Sequence, residues 1–196
     1  MKLAIYKFIR FIGRPIVKLI YRVEYIGKDN IPLEGSVILA GNHTNNRDAL
    51  IMIAGPDRIV HMLAKKELFK NKFTNAFFRS MGCIPVDRSI HDENAKNEAL
   101  EVLKNGNVIG IFPEGTTNKT NKDLLPFKYG AVSFAKKTNA YIVPFAITGK
   151  YKIFKKSIRI EYGKPYKIKN DNLEIENNRL MEKVLNLKGS KNNEIN

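Results

Sequence analysis

The amino-acid sequence predicts a single α/β domain in which helices flank a largely parallel or mixed central sheet. Two observations support this fold class. Short apolar runs of the kind that form buried strands alternate with helical segments, and 196 residues suit one domain. A third observation is the amino terminus, which predicts an amphipathic basic helix or helix pair in front of the domain.

The predicted helix at residues 1–23 has cations on one side and large apolar side chains on the other. The cations recur at helical spacing: Lys7, Arg10, Arg14, Lys18 and Arg22. The apolar side carries Ile5, Phe8, Ile9, Ile12, Ile16, Leu19 and Ile20. Charges interrupt the segment too often for a signal peptide or a membrane span, whereas the pattern is typical of helices in the membrane interface. The alternative is a helix that packs its apolar face on its own domain. Pro15 predicts a kink or a division into two short helices.

The α/β domain is predicted over residues 24–187, and the polar residues 188–196 are expected to form a disordered tail. Residues 21–26 are predicted to form a strand or an extended link. Apolar runs predict, in chain order, strands at 36–40, 59–64, 83–86, 108–112, 142–148, 157–162 and 166–168. Helical spacing predicts helices over 49–53, 69–81, 92–105, 130–137 and 172–187. The helix at 92–105 has Gly106 as its stop signal.

The chain carries 34 Lys and Arg residues against 19 Asp and Glu residues, a formal net charge of +15. This excess favours an anionic partner such as nucleic acid, an anionic membrane surface or an acidic protein. We expect no nucleic acid, because the sequence has neither an aromatic-basic RNA-binding motif nor zinc-finger spacing. The single cysteine, Cys83, excludes an internal disulfide, and three scattered histidines lack metal-ligand spacing. Because Cys83 lies in an apolar run, we expect a buried small side chain rather than a nucleophile.

Three of the predicted strands end in polar clusters: His43 with Asp48, Asp87 with Arg88, and Glu114-Gly115-Thr116. Because ligands bind at the carboxyl ends of strands in open α/β sheets, these clusters are candidates for one site. A histidine oriented by a carboxylate can accept a proton from a hydroxyl, so His43 and Asp48 are a candidate catalytic pair. The alternative is that Asp48 caps a helix and His43 lies on the surface.

The other two clusters contain residue types that bind polar substrates. Gly115 lets the backbone approach a ligand, and Glu114 can accept hydrogen bonds from substrate hydroxyls. The planar guanidinium of Arg88 can bind a phosphate. Taken singly, these residues are more typical of a structural turn and a solvated side chain.

Six segments in register resemble the glycerolipid acyltransferases, the family of the bacterial 1-acylglycerol-3-phosphate (lysophosphatidate) acyltransferases. His43 and Asp48 resemble the family's His-x-x-x-x-Asp signature, and residues 112–116 match its Phe-Pro-Glu-Gly-Thr motif letter for letter. The other segments are 64–68, 82–88, 127–130 and 142–145. Order and spacing agree over about residues 36–149.

The resemblance implies acyl transfer from acyl-CoA or an acyl carrier protein to the free sn-2 hydroxyl of 1-acylglycerol 3-phosphate, which gives phosphatidate. His43 would be the general base, and Asp48 would orient its ring. The implied substrate-binding residues are Arg88, Glu114, Gly115, Thr116, Lys65 and Lys128. No bound cofactor or metal is implied; the acyl thioester is a co-substrate.

The sequence departs from the family at Thr117-Asn118, where Arg-Ser is common. A cation expected in the acceptor pocket is therefore missing at that position. Two alternatives stay open: either Lys119 or Lys122 takes its place, or the acceptor is another lysophospholipid, glycerol 3-phosphate or a lyso-ornithine lipid. From a different class, the alternative is an inactive membrane-binding module.

The resemblance also gives the amino-terminal helix a purpose, because a fatty substrate resides in a membrane. We expect a peripheral or monotopic protein on the cytoplasmic face of the cell membrane. Its expected partners are an anionic membrane surface, a lysophospholipid and, for the acyl donor, an acidic acyl carrier protein.

Overall fold

The computed structural model describes residues 3–189, with side chains from Tyr6 onward. Seven strands form one mixed sheet: β1 (Glu24–Ile26), β2 (Val37–Gly41), β3 (Val60–Lys65), β4 (Ile84–Val86), β5 (Val108–Ile111), β6 (Tyr141–Gly149) and β7 (Ile158–Tyr162). Their order is β1-β7-β6-β2-β5-β3-β4. The five strands from β6 to β4 are parallel, whereas β7 is antiparallel to β6 and parallel to β1. The predicted fold class is confirmed.

Six α-helices lie among the described residues: α1 (Leu3–Tyr21), α2 (Asp48–Ala54), α3 (Lys72–Ser80), α4 (Glu93–Lys104), α5 (Gly130–Thr138) and α6 (Leu173–Gly189). Helices α4, α5 and α6 contribute to the core on one face of the sheet. Helices α1, α2 and α3 contribute to the core on the other face. The domain therefore has three layers, with the sheet in the middle.

Strand β2 shows why the sheet is buried on both faces. Val37 and Leu39 belong to one core, and Ile38 and Ala40 belong to the other. All four are inaccessible to solvent, because successive side chains of a strand point to opposite faces of the sheet. A continuous apolar run is what such a central parallel strand requires.

Helix α1 packs on the domain, but not through its apolar face as the alternative interpretation expected. Tyr6 is buried, and the guanidinium groups of Arg10 and Arg14 donate hydrogen bonds to backbone carbonyls of residues 55–58. The opposite side leaves large apolar side chains exposed: Phe8, Phe11, Ile12, Ile16 and Leu19. No helix among residues 3–189 has the length and apolar character to span a bilayer.

The structure differs from the predicted elements in several places. The predicted helix at 69–81 is a 3-10 turn at Lys66–Phe69 followed by α3. The segment 166–168 is not a strand, because Tyr166 forms only an isolated antiparallel bridge with Ile142. Helix α1 continues through Pro15 as one element, so its division into two helices is wrong.

The carboxyl-terminal boundary also differs from the prediction. Helix α6 continues to Gly189, so residues 188–189 are helical rather than part of a tail. The rest of the predicted tail, 190–196, lies outside the described residues.

Candidate active site

The polar clusters meet at one edge of the sheet because their strands are neighbours. Strands β2, β5, β3 and β4 lie side by side and run parallel, so their carboxyl ends share an edge. Hydrogen bonds between side chains and backbone connect the three clusters at this edge. The His43 amide donates to Glu114 Oε1 over 2.7 Å, and Arg88 Nη1 donates to the Gly115 carbonyl over 2.7 Å. The site is thus one continuous group of contacts.

The His43 ring is held by Asp48 at a hydrogen-bonding distance. Nδ1 of His43 lies 3.0 Å from Oδ2 of Asp48, and the two side chains are 11% and 0% exposed. The same Oδ2 accepts hydrogen bonds from the amides of Thr44 (2.6 Å) and Asn45 (2.8 Å), which precede helix α2. Asp48 therefore closes the turn that carries His43. The alternative of a simple helix cap does not describe these bonds.

The second ring nitrogen of His43 points away from Asp48. The ring stacks on Phe112, with centroids 4.1 Å apart and planes at 12°. Nε2 lies 3.3 Å from Thr117 Oγ1, which is also 3.3 Å from Asn46 Oδ1. With the proton of a neutral ring on Nδ1, facing the carboxylate, Nε2 has a lone pair free to accept a proton.

Glu114 is placed differently from the sequence-based expectation. Its side chain is 5% exposed, and both oxygens accept backbone hydrogen bonds within the chain: Oε1 from His43 and Oε2 from Leu125, the latter over 2.8 Å. Backbone donors therefore occupy the carboxylate that was expected to bind substrate hydroxyls. It joins the His43 loop to the segment around Leu125.

A cavity of about 520 Å³ adjoins the His43–Asp48 pair, because Phe112 lines it and stacks on His43. Its titratable lining residues are four cations and three further groups: Arg88, Lys96, Lys128 and Lys137, with His91, Asp87 and Asp92. Its apolar lining includes Leu63, Val86, Ile90, Ile111 and Phe134. A cavity with both kinds of wall fits an amphiphile with an anionic group.

Gly115 is required by the shape of the loop. It has φ +70°, and a Cβ at this position would lie 2.9 Å from Cε of Lys128. The Lys128 amide in turn donates to the Pro113 carbonyl over 2.9 Å. Glycine thus lets the Lys128 side chain lie directly over the loop at the cavity wall.

The structure separates the predicted substrate-binding residues into groups. Arg88, Gly115 and Lys128 line the cavity. Thr116 and Lys65 are exposed at the same edge of the sheet but are not among the residues that line this cavity.

Asp87 makes its hydrogen bonds with neighbouring groups of the protein. The Asp92 side chain accepts from the Asp87 amide (2.8 Å) and the Ala95 amide (3.0 Å), which ties the Arg88 segment to the start of α4. Lys66 donates a hydrogen bond to Asp87, and this contact lowers the pKa of the Asp87 carboxyl to about 2.

Cys83 is buried, as predicted, and burial raises the pKa of its thiol to about 11. Residues 3–189 contain no group of three or more potential metal-ligating His, Cys, Asp or Glu side chains.

Sequence reasoning missed two contacts of the pair. Tyr151 donates from its hydroxyl to Asp48 Oδ1 over 2.6 Å, across 103 positions of sequence. The ring stack on Phe112 was also missed. Neither contact has a local signal, since both partners come together only when β2, β5 and β6 pair in the sheet.

Comparisons with known proteins point to one family. The sequence model of the acyltransferase family matches residues 22–148 of this chain. A 1-acyl-sn-glycerol-3-phosphate acyltransferase of Bacillus subtilis is 34% identical over 166 residues, which cover 82% of this chain and 81% of that protein. A protein of the same name from Borreliella burgdorferi is 37% identical over 144 residues, which cover 72% of this chain and 57% of that protein.

A solved structure is similar over nearly the whole chain. It is the 1-acyl-sn-glycerophosphate acyltransferase PlsC of Thermotoga maritima, at 25% identity and a TM-score of 0.79. The match covers 97% of this chain and 80% of that one.

Proposed function

The chain belongs to the acyltransferase family, and we propose that it acylates the sn-2 hydroxyl of 1-acylglycerol 3-phosphate to give phosphatidate. The observation that carries the proposal is the His43–Asp48 pair, 3.0 Å apart, beside a cavity with basic and apolar walls. The names of the relatives from Bacillus and Borreliella support this acceptor.

His43 acts as the general base of the reaction. Its Nε2 accepts the proton of the acceptor hydroxyl as the hydroxyl oxygen attacks the thioester carbonyl carbon. Asp48, bonded to Nδ1, stabilises the imidazolium that forms. When the tetrahedral intermediate collapses, the carbon–sulfur bond breaks and the imidazolium returns its proton to the departing thiolate. The ester and the free thiol are the products, and His43 is neutral again.

The acceptor binds through the cavity wall next to the pair. Arg88 binds the phosphate of lysophosphatidate, because its guanidinium lines the cavity and Nη1 is anchored on the Gly115 carbonyl. Lys128 adds a second cation over the same loop. The apolar wall accepts hydrocarbon. Thr116 and Lys65 belong to the rim, where they can contact a head group or donor, and Glu114 holds the His43 loop.

The acyl donor is a thioester of coenzyme A or of acyl carrier protein, used as a co-substrate. The net charge of +15 is complementary to the phosphates of coenzyme A and to the acidic surface of a carrier protein. No resident cofactor takes part in the proposed steps.

The enzyme works on an anionic membrane surface as a peripheral or monotopic protein on its cytoplasmic face. Helix α1 supports this, since its exposed apolar side chains are accompanied by the exposed cations Lys7, Lys18 and Arg22. A second apolar pair, Ile153 and Phe154, is exposed on the β6–β7 loop. That loop adjoins α1, because the Phe154 amide donates to the Ile20 carbonyl over 2.6 Å.

An acceptor panel tests the proposal. The purified protein is given an acyl thioester, either acyl-CoA or acylated acyl carrier protein. Separate reactions contain lysophosphatidate, lysophosphatidylglycerol, glycerol 3-phosphate or a lyso-ornithine lipid as the acceptor. We expect phosphatidate from lysophosphatidate as the main product. Acylation of only another acceptor would overturn the assignment of lysophosphatidate, and no transfer with any pair would favour the inactive membrane-binding module.

A further inference from the structure

Tyr151 contacts the catalytic pair from outside the family's sequence motifs. It follows strand β6, and its hydroxyl donates to Oδ1 of Asp48 over 2.6 Å. Asp48 is fully buried, so each of its carboxylate oxygens needs donors from the protein.

The donors to Asp48 are divided unevenly between its two oxygens. Oδ2 receives the amides of Thr44 and Asn45 and faces Nδ1 of His43. Oδ1 has the Tyr151 hydroxyl at 2.6 Å, whereas the Thr44 hydroxyl is 3.4 Å away. Tyr151 is therefore the principal donor to Oδ1. With one oxygen held on each side, the carboxylate cannot rotate about its Cβ–Cγ bond without breaking a short hydrogen bond.

The Tyr151 ring is itself fixed by neighbours. The Tyr21 ring of α1 meets it edge-on, with centroids 5.4 Å apart and planes at 88°. The Arg47 guanidinium lies over it at 5.9 Å from the centroid. Burial and the adjacent Asp48 carboxylate both raise the pKa of the Tyr151 hydroxyl above its ordinary value. The hydroxyl thus stays protonated and acts as a donor, not as a base.

We propose that Tyr151 is a positioning residue, which holds the Asp48 carboxylate so that Oδ2 faces Nδ1 of His43 and Nε2 faces the acceptor hydroxyl. The proposal rests on the proposed acyl transfer for its kinetic consequences. Tyr151 does not touch the reacting atoms, so its contribution passes through the catalytic pair.

The variant Tyr151→Phe removes the hydroxyl and keeps the ring. We expect kcat for acyl transfer to fall roughly 10- to 100-fold, the scale of a lost hydrogen bond to a charged group, with the KM of either substrate changed less than about twofold. The matched control is Tyr25→Phe, because the Tyr25 hydroxyl also donates to α2, at the Ile51 carbonyl over 3.1 Å. The control should keep wild-type kcat.

Two further readouts separate positioning from a general loss of structure. In a His43→Ala background, Tyr151→Phe should cause no further loss of activity, since the residue acts through the pair. In NMR spectra of the free enzyme, the Nδ1–H signal of His43 should shift or broaden in Tyr151→Phe and stay unchanged in Tyr25→Phe.

The outcomes distinguish this proposal from the proposed function. If Tyr151→Phe leaves both kcat and the Nδ1–H signal unchanged, the positioning role is wrong, whatever the substrate. An equal loss in Tyr25→Phe, or a further loss in the His43→Ala background, would also overturn it. If wild type acylates no lysophosphatidate but the Nδ1–H signal responds to Tyr151→Phe alone, the positioning role stands and the proposed acceptor fails.

Discussion

Two buried carboxylates organise the site at the scale of single residues, and they do different work. Asp48 faces the His43 ring, whereas Glu114 holds the His43 backbone. Both are nearly inaccessible to solvent, and both have donors on each oxygen. These donors stabilise the buried carboxylates, because burying a carboxylate without hydrogen-bond donors would lower the free energy of unfolding.

Replacing Glu114 with Gln tests its structural role. The amide nitrogen of Gln cannot accept a hydrogen bond, so either the His43 or the Leu125 amide loses its partner. We expect the free energy of unfolding to fall by about 1–3 kcal/mol and kcat to fall with it. Urea denaturation and acyl-transfer kinetics measure the two effects. Glu101→Gln, on an exposed face of α4, is the control, and equal stability of the two variants would contradict this role.

Replacing Thr117 with Arg tests the position where the sequence departs from the family. Thr117 lies 3.3 Å from Nε2 of His43, so an added cation would stand close to the bound acceptor. We expect the KM for lysophosphatidate to fall by up to about fivefold, as for an added exposed charge pair, with a smaller change in kcat. Thr117→Gln controls for side-chain length. A KM that stays the same in Thr117→Arg would exclude a role for this position in acceptor binding.

Residue types and spacing predicted some of these contacts and could not predict others. The His43–Asp48 contact spans five positions and was visible as a spacing. Glu114 was found by its motif, but its partners were not, because the His43 amide is 71 positions away. Tyr151 had no signal, since a tyrosine after a strand is ordinary and its contact exists only in the folded sheet.

At the scale of elements, α1 shows what periodicity can and cannot predict. The spacing of cations and apolar residues predicted two faces. It could not predict which face packs on the domain, since that depends on the carbonyls at 55–58 that receive Arg10 and Arg14. The side with Tyr6, Arg10 and Arg14 packs on the domain, whereas the apolar side and the cations Lys7 and Lys18 are left exposed.

The exposed side of α1 can be tested without disturbing the core. Phe11 and Leu19 are 79% and 67% exposed, so the double variant Phe11→Asp, Leu19→Asp should keep the wild-type free energy of unfolding. We expect its affinity for vesicles of anionic phospholipid to fall at least about tenfold, because two apolar side chains no longer enter the interface. Vesicle sedimentation measures the affinity.

The control for α1 is Leu33→Asp, which removes a similarly exposed leucine (81%) that lies outside α1, in the loop before strand β2. Wild-type vesicle binding by the α1 double variant would refute membrane docking through this face. Deleting residues 1–22 should likewise abolish vesicle binding, but it would also remove the buried Tyr6.

At the scale of the whole molecule, the alternation of strands and helices was enough to predict the α/β class and a site at the carboxyl edge. The order of strands was not predictable, because apolar runs such as 36–40 and 108–112 do not specify their neighbours. That order decides the site: β5 lies between β2 and β3, so Phe112 and Glu114 reach His43 directly. The reversed direction of β7 and β1 also had no local signal.

The proposed mechanism depends on His43 as the base for acyl transfer to lysophosphatidate. Its test measures thioester-dependent formation of phosphatidate by the wild-type protein beside His43→Ala, in mixed vesicles. We expect transfer by wild type and a loss of at least about 10²-fold in the variant, with an unchanged free energy of unfolding. Transfer by His43→Ala at a rate close to that of wild type would contradict it.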